Sequence, residues 1–451
     1  MAGRVGGTGG VAGRLGTSGG AGANGGSAGA NGGAGANGGS AGANGGSSGD
    51  TSGSGGSSGT SDAGSCPLGA LACDGGCISV SDDNAHCGSC SNVCGSDQTC
   101  VDGGCATPTT TDDAGTTCDT TARAGFPAIA TPNGVYLVEG IPVNTPSPLS
   151  TTTFIGLTAN GALDPSKCMT PSTVTVPVAE YSIGVARIAS SVYLLGGYAN
   201  GSTQPNVYRA QVTTGALGAF SATNVNADGG APVAFQQGRY ADAIVQTTSY
   251  VYVIGGWAGT APPGTDLSSI ERAQVDPTTG DFVTNFEPAI DPATKGPATL
   301  AVPRGAMQIY RHDPWVYLMG GQTQSGSTTV IHDEIQRATI DAAGNLSSFT
   351  VIGTLPMPLS GATVFVGGGT VYLIAGATGF TAPSYALTDG VLAAPIAADG
   401  TLGTFINTLL QVPYAQCCGG SVTLGPTVYL LEGLTGNGFT ATTSIESISL
   451  L

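Results

Sequence analysis

Basic residues, histidines and long apolar runs are all scarce in this chain. Its 451 residues include 12 Lys plus Arg against 29 Asp plus Glu, which gives a formal net charge of -17. A field of that sign repels a phosphate backbone or an anionic membrane surface, so we expect no nucleic-acid partner. No stretch reaches the roughly eighteen consecutive apolar residues of a membrane-spanning helix, because glycine, serine and threonine interrupt every hydrophobic run. We therefore expect a soluble protein without a transmembrane segment.

The scarcity of histidine argues against metal and redox chemistry. The three histidines are His86, His312 and His332. Only the last two lie after residue 122, too few for a copper site of the galactose oxidase type. The one stretch that resembles a Gly-x-Ser-x-Gly nucleophile motif lies in the glycine-rich N-terminal segment, so no hydrolase elbow is supported. The sequence predicts no cofactor, no metal and no enzymatic activity.

Glycine, by contrast, is abundant at 76 residues, and most of the excess precedes Gly64. There a motif like Ala-Gly-Ala-Asn-Gly-Gly-Ser recurs from Ala21 to Ser47, with hardly any large apolar side chain to bury. Such a composition cannot build a core. We expect residues 1–64 to form a disordered Gly/Ala/Asn/Ser-rich tether.

Eight of the 12 cysteines crowd into residues 65–106. They are Cys66, Cys73, Cys77, Cys87, Cys90, Cys94, Cys100 and Cys105. A zinc site could draw on four of them, Cys87, Cys90, Cys94 and Cys100, but it would leave the other four unexplained. Four disulfides would use all eight, and we favour them. Disulfides form in an oxidising compartment, so we expect the protein to be extracellular or on the cell surface.

The segment from Met1 to Gly20 nevertheless lacks the apolar h-region of a signal peptide. Either the sequence starts inside its gene or export uses another route, and the residues leave both open.

The cysteine segment contains the run Cys73-Asp74-Gly75-Gly76-Cys77, followed by Asn84-Ala85-His86-Cys87-Gly88-Ser89-Cys90 and by Cys94. This run resembles the stigma-specific cysteine-rich family, also met in myxobacterial-type surface proteins behind glycine-rich tethers. The resemblance implies a secreted or surface-attached spacer or recognition knob without chemistry of its own. It does not fix the disulfide pairing.

A strand of the form Val-Tyr-apolar-apolar-x-Gly recurs six times after residue 122. Its copies begin at Val135, Val192, Val251, Val316, Val371 and Val428. The spacing is about that of one four-stranded repeat. The run lacks polar alternation, which indicates an interior strand with other sheets on both faces.

Two further signals follow the recurring strand. A third strand carries an arginine at one position, as Arg209, Arg272 and Arg337, and we expect these arginines to cover apolar surface with their stems. A hairpin then leads to an outer strand with one aromatic anchor, as at Phe220, Phe349 and Phe405.

Together these features resemble the kelch family, whose repeats carry a double glycine and a later aromatic residue. The resemblance covers roughly residues 123–451 and implies an all-β, six-bladed β-propeller. The last repeat ends after its third strand, at Ser444 to Ser449. Because an open strand edge invites aggregation, we expect Ala114 to Thr121, within a Thr/Asp linker over 107–122, to supply the missing outer strand.

Four cysteines remain, Cys118, Cys168, Cys417 and Cys418, and they allow three pairings. Our preferred hypothesis joins Cys118 in the closing strand to Cys168 in the outer strand of the first blade, which would staple the ends of the ring. Cys417 and Cys418 would then form a vicinal disulfide.

Twelve residues before each Val-Tyr strand stand Arg123, Glu180, Arg239, Arg304, Leu359 and Gln416. In kelch-like propellers this position lines the mouth of a central funnel. The resemblance therefore implies that Arg123, Glu180, Arg239, Arg304 and Gln416 could bind an anionic or polyhydroxylated ligand. The alternative is that the arginines satisfy loop carbonyls.

These expectations combine into a non-enzymatic, extracellular or cell-surface binding protein, monomeric, whose ligand is a protein or a glycan. The competing hypotheses are a carbohydrate-active or mutarotase-like enzyme that uses Arg239, Arg304 and Glu180, and a purely structural envelope component.

Overall fold

The computed structural model describes residues 114–450, except 143–146, 227–228, 261–263, 326–327, 382–383, 426 and 437–439. Before residue 114 it describes the backbone of five short strands and residues 86–87, 89–91 and 93. The predicted tether, Cys66 and Cys94 lie outside the described residues. Throughout the described part the fold is all-β, with no helix.

Six antiparallel sheets, numbered 1 to 6 in chain order, contain most of the described strands. Each has an inner, a second, a third and an outer strand. The inner strands are Ala128–Thr131, Gly184–Ile188, Ala243–Gln246, Gln308–His312, Thr363–Gly367 and Gly420–Leu424. The second strands are Gly134–Val138, Ser191–Leu195, Tyr250–Ile254, Trp315–Met319, Thr370–Thr381 and Thr427–Leu431. The third strands are Thr152–Leu157, Val207–Thr213, Ile270–Gln274, Glu334–Thr339, Ser384–Pro395 and Ile445–Ser449.

The outer strands are shorter or more exposed. In chain order of the sheets they are Leu163–Met169, Ala216–Leu217 with Ser221–Ala222, Glu287–Pro288, Thr350–Thr354, Ile406–Gln411 and Thr109–Thr111. The predicted aromatic anchors Phe220, Phe349 and Phe405 are all buried.

Short hairpins and paired segments lie outside these sheets. They are Ala70–Cys73 with Gly76–Ser79, Thr99–Val101 with Gly104–Ala106, Arg123–Ala124 with Ile141–Pro142, Tyr198–Ala199 with Ser202–Thr203, Trp257–Ala258 with Thr265–Asp266, Gln322–Ser325 with Thr328–Ile331, and Gln416–Cys417 with Leu434–Thr435 and Thr440–Ala441.

The recurring valines show why the sheets stack. Their exposed fraction is 0% in sheets 1 to 5 and 1% in sheet 6. One apolar cluster lies between each pair of successive sheets, and another joins sheet 6 to sheet 1 through residues such as Leu431 and Leu137. Every sheet therefore has a neighbour on both faces, which explains the absence of polar alternation in the second strands.

The sheets are also joined through the backbone. Each inner strand is preceded by a residue with positive φ, and these residues are Gly125, Ser182, Ala241, Ala306, Gly361 and Cys418. The N–H of each donates to the carbonyl of the preceding member, and Gly125 donates to Cys418. We call this closed series of six hydrogen bonds the backbone ring.

The outer strand of sheet 6 comes from the N-terminal side of the repeats, but not from the residues we predicted. Thr109–Thr111 pairs with Ile445–Ser449. The predicted segment from Ala114 continues along the same strand through the Thr116–Ser444 bridge and hydrogen bonds to Ile445 and Thr443. The Thr/Asp run has no apolar alternation to fix its register, so its strand lies a few residues earlier than expected.

The junction of sheets 6 and 1 carries additional bonds. A disulfide joins Cys118 to Cys168, and another joins Cys417 to Cys418, as the preferred pairing had it. Cys87 and Cys90 are each disulfide-bonded as well.

Thr110→Pro should open this junction. Proline removes a backbone donor from a short outer strand, so we expect the full chain to lose about 1–3 kcal/mol of stability and to aggregate more readily. Thr60→Pro, in the glycine-rich segment, is the matched control and should change neither. Urea unfolding and light scattering measure both effects. Equal behaviour of the two variants would show that this strand does not close the sheet.

Candidate functional site

All six residues at the position twelve before the Val-Tyr strand are buried. Their exposed fractions are at most 4%, as the values for Arg123, Glu180, Arg239, Arg304, Leu359 and Gln416 show. The six residues thus lie at equivalent positions before the six inner strands, and none of them is exposed to solvent.

The three arginines share one arrangement. Nη1 of each donates to the carbonyl sixteen residues further on, at Glu139, Gly255 and Gly320. These acceptors hold the first position of the glycine pair and have φ values of 62°, 61° and 59°. The guanidinium therefore satisfies a carbonyl that the left-handed turn removes from the sheet ladder.

A carboxylate completes each arginine site. Arg304 Nη2 lies 3.1 Å from Glu334 Oε2, Arg239 pairs with Glu271, and Arg123 Nη2 lies 2.6 Å from Asp119. The Nη2 nitrogens, which a forked contact with a ligand would use, already donate hydrogen bonds within the protein. This arrangement agrees with the alternative hypothesis, in which the arginines donate hydrogen bonds to loop carbonyls.

Glu180 takes the arginine position in sheet 2 and faces a second acid. Glu139 lies at the first position of the glycine pair in sheet 1, and both glutamates are 1% exposed. Burial raises the pKa of Glu180 to about 8, and burial together with the Glu180 charge raises that of Glu139 well above its usual value. Glu180 Oε1 and Glu139 Oε2 have no hydrogen-bond partner among the described residues. The Glu180 carboxyl therefore keeps a proton at neutral pH.

A second layer lies on the far side of the backbone ring from the inner strands. Residues one before the ring, such as Tyr181, Tyr240 and Cys417, pack with residues just after the glycine pairs, such as Tyr198 and Trp257, in one buried cluster. We call this layer, with the short hairpins that follow the glycine pairs, the cap.

Aromatic rings dominate one side of the cap. Tyr181, Tyr198, Tyr240 and Trp257 form a chain of contacts with ring centroids 5.2 to 6.2 Å apart. All four side chains are at most 8% exposed, so the rings form a buried aromatic cluster.

The cap also holds buried polar atoms that have no hydrogen-bond partner among the described residues. They are Tyr240 Oη, Gln322 Oε1 and both polar atoms of the Gln324 side chain. All three residues are at most 3% exposed. Buried polar atoms are nearly always hydrogen-bonded, so an unpartnered set on one layer indicates a bound molecule or ordered water.

Neighbouring bonds hold these groups in place. Asp266 accepts from Trp257 Nε1 at 2.8 Å and from the Gln324 backbone N–H at 2.9 Å. Gln322 Nε2 donates to Tyr385 Oη at 3.2 Å. Tyr385 and Asp266 both contribute to a raised pKa of Tyr240, whose main cause is burial, so its hydroxyl remains a donor. The unpartnered atoms thus include both donors and acceptors at fixed positions.

Thr323, His332 and Glu334 form a relay on the hairpin beside Arg304. Thr323 Oγ1 lies 3.0 Å from His332 Nε2, and His332 Nδ1 lies 3.0 Å from Glu334 Oε2. Burial and the charge of Arg304 lower the pKa of His332, so the imidazole is neutral at pH 7. Hydroxyl, imidazole and carboxylate stand in the order of a nucleophile relay. Sequence reasoning missed it, because His332 lies in the connection before the third strand and only the fold brings Thr323 and Arg304 to it.

The arginines repeated on the third strand have partners as expected. Arg209 pairs with Asp281 at 2.5 Å, Arg272 lies 3.7 Å from Glu287, and Arg337 stacks 4.2 Å from the Trp315 ring. They pair with neighbouring carboxylates or stack on an aromatic ring.

The described part of the chain contains neither a metal-binding cluster nor a membrane-spanning helix. There, no three His, Cys, Asp or Glu side chains are grouped so as to hold a metal ion. Nor does that part contain a helix of the length and apolarity needed to cross a membrane.

Comparisons with known proteins gave one match to the cysteine-rich region and one to most of the chain. Residues 57–119 match the Stigma-specific STIG1-like protein family, in agreement with the resemblance of the cysteine-rich module. A solved structure described as "Structure of YjhT" is 12% identical with a TM-score of 0.51, and the match covers 73% of this chain and 95% of that chain. At that identity the likeness concerns the fold alone. A search of curated proteins gave no significant match.

Arg239→Met should cost about 3–5 kcal/mol of stability, because it leaves Glu271 buried without its counter-charge. Arg311→Met is the matched control, since its partner Asp313 is 66% exposed, and it should cost less than about 1 kcal/mol. Urea unfolding compares the two. Equal losses, or full stability in Arg239→Met, would contradict the structural role of the guanidinium.

Stability should fall as pH rises through the window from about 4.5 to about 8, in part because of Glu180. Its pKa is higher in the folded than in the unfolded protein, so the native state binds the extra proton and loses that advantage as the proton leaves. Glu180→Gln should flatten this part of the profile by an amount on the order of a few kcal/mol. Thermal melts across the window, with Glu287→Gln as an exposed control, test it. Identical slopes for wild type and Glu180→Gln would refute the assignment.

Proposed function

We propose that this chain is a secreted or surface-displayed binding protein without enzymatic activity, whose cap binds a polyhydroxylated ligand such as a glycan. In this proposal residues 123–451 are a six-bladed, kelch-like β-propeller, with each of the six sheets as a blade. The cyclic packing of the sheets, the closed backbone ring and the likeness to a solved fold support the propeller.

The unpartnered polar atoms of the cap carry the binding proposal. A sugar hydroxyl both donates and accepts, so it can satisfy a tyrosine hydroxyl and an amide at once. The adjacent Trp257 and tyrosine rings provide the apolar faces that a sugar ring stacks on. The ligand is small or is the end of a chain, because Tyr240, Gln322 and Gln324 are almost fully buried.

The disulfide-bonded module supports an extracellular location. Its match to the Stigma-specific STIG1-like family and its disulfide-bonded cysteines fit an oxidising compartment. The glycine-rich residues before it would give the binding domain reach from a surface.

The second candidate is a carbohydrate-active enzyme. The relay of Thr323, His332 and Glu334 favours it, because a neutral imidazole held by a carboxylate is a general base. Arg304, which the sequence placed in the funnel, orients that carboxylate. This candidate requires turnover, which the binding proposal does not.

Tyr240→Phe separates ligand recognition from stability. Its hydroxyl has no partner in the described part of the chain, so removing it should leave the melting temperature unchanged or higher while weakening glycan binding at least about tenfold. Tyr310→Phe is the matched control, since Tyr310 Oη is also buried and unpartnered but lies outside the cap. A glycan array with the wild type selects the ligand, and calorimetry compares the variants.

Equal affinities of Tyr240→Phe and wild type for the selected glycan would remove the cap from the proposal. Sugar release in a parallel assay, abolished by His332→Ala, would establish the enzyme instead.

A further inference from the structure

A small cavity lies on the other side of the backbone ring from the cap. It has a volume of about 30 Å³ and is lined by the inner strands of sheets 1, 2, 3, 4 and 6 at the residues that follow the ring. That volume is room for about two water molecules or one small cation without its hydration shell. Its lining is apolar except for the side chains of Asp242 and Ser421.

Asp242 is the only charged residue of this lining. It is 4% exposed, and neither carboxylate oxygen has a hydrogen-bond partner among the described residues. Arg239 and Glu271 are the charged groups that act on it, but these two already pair with each other. When ionised, the carboxylate brings into the cavity a buried negative charge that Arg239 offsets only in part, and a buried charge without a full counter-charge is costly.

The backbone around the cavity offers oxygen ligands. Each inner strand pairs with a second strand on one edge only, so its other edge is unpaired and faces the axis. A free strand edge presents carbonyl oxygens in a row, and carboxylate and carbonyl oxygens are the ligands that hard cations prefer. The Ser421 hydroxyl adds one more oxygen.

We propose that Asp242 holds a monovalent hard cation of sodium size in this axial cavity. One positive charge neutralises the site, whereas a divalent ion would leave an excess charge among apolar side chains. The site is separate from the proposed glycan site, because the backbone ring lies between the residues of the cap and those of the cavity.

The proposal predicts a cation dependence that changes with pH. Burial raises the pKa of Asp242 to about 7, so the proton and the cation compete for the same oxygens. Near pH 8 the full-length protein should melt about 2–4 °C higher in NaCl than in N-methyl-D-glucamine chloride of equal ionic strength. Near pH 5 this difference should vanish, because the carboxyl is then protonated.

Asp242→Asn should abolish the sodium effect near pH 8. Glu180→Gln, which changes a buried carboxyl outside the cavity, should keep it. A sodium effect of equal size in Asp242→Asn, or one that persists near pH 5, overturns the proposal. A larger effect of CaCl₂ than of NaCl at equal ionic strength overturns the assignment to a monovalent ion.

Diffraction gives a test that does not depend on the variant folding. Crystals of the wild type grown in NaCl near pH 8 should show a bound ion beside the Asp242 carboxylate, with ion–oxygen distances shorter than those of a hydrogen-bonded water. Density at water distances alone would overturn the proposal even if the melting experiments showed a general salt effect.

Discussion

The burial of each second strand between two neighbouring sheets is the constraint on which the structure depends. The recurring valines are fully or almost fully buried in all six sheets, so the first and last sheets cannot remain uncovered. Fully burying one such side chain is worth about 1.5–3 kcal/mol, and the cluster between sheets 6 and 1 contains nine buried residues. Three further interactions reinforce this junction. They are the pairing of the Thr109–Thr111 strand, the Cys118–Cys168 disulfide and the Asp119–Arg123 ion pair.

The glycine pairs impose a second requirement, which the buried arginines meet. Both residues of each pair have positive φ, even where Glu139, Ala375 or Glu432 stands in place of glycine. The turn withdraws a carbonyl from the sheet, and in sheets 1, 3 and 4 an arginine sixteen residues earlier donates to it. A guanidinium suits this role because it reaches several acceptors in one plane while a carboxylate neutralises it. The donors that make the arginine effective as a brace are thereby used within the protein and are not free for a ligand.

Much of this architecture could be predicted from the repeat alone. The Val-Tyr strands, the aromatic anchors and the all-β class follow from patterns that recur in register, and recurrence compensates for the weakness of each single motif. The closing strand was misplaced by a few residues because the Thr/Asp run carries no apolar period. The disulfide between Cys118 and Cys168 could be inferred from the need to join the chain ends, whereas the cap could not. Gln322 and Gln324 belong to no recurring motif, and only the fold brings them into one layer with Tyr240.

A repeated scaffold makes departures from the repeat informative. A residue that recurs at one position in several sheets has a structural role common to those sheets. It contributes to their stacking, their turns or the closure of the cycle. Residues that appear once cannot serve a shared need, and burying them without partners is costly. Asp242 and Gln324 are such residues: Asp242 directly precedes the inner strand of sheet 3, and Gln324 lies on the hairpin that follows the second strand of sheet 4. The two polar features on either side of the backbone ring therefore come from the same part of the cycle. Stability alone does not require a buried carboxylate and a buried amide at these positions, because apolar side chains would avoid the cost of desolvating them.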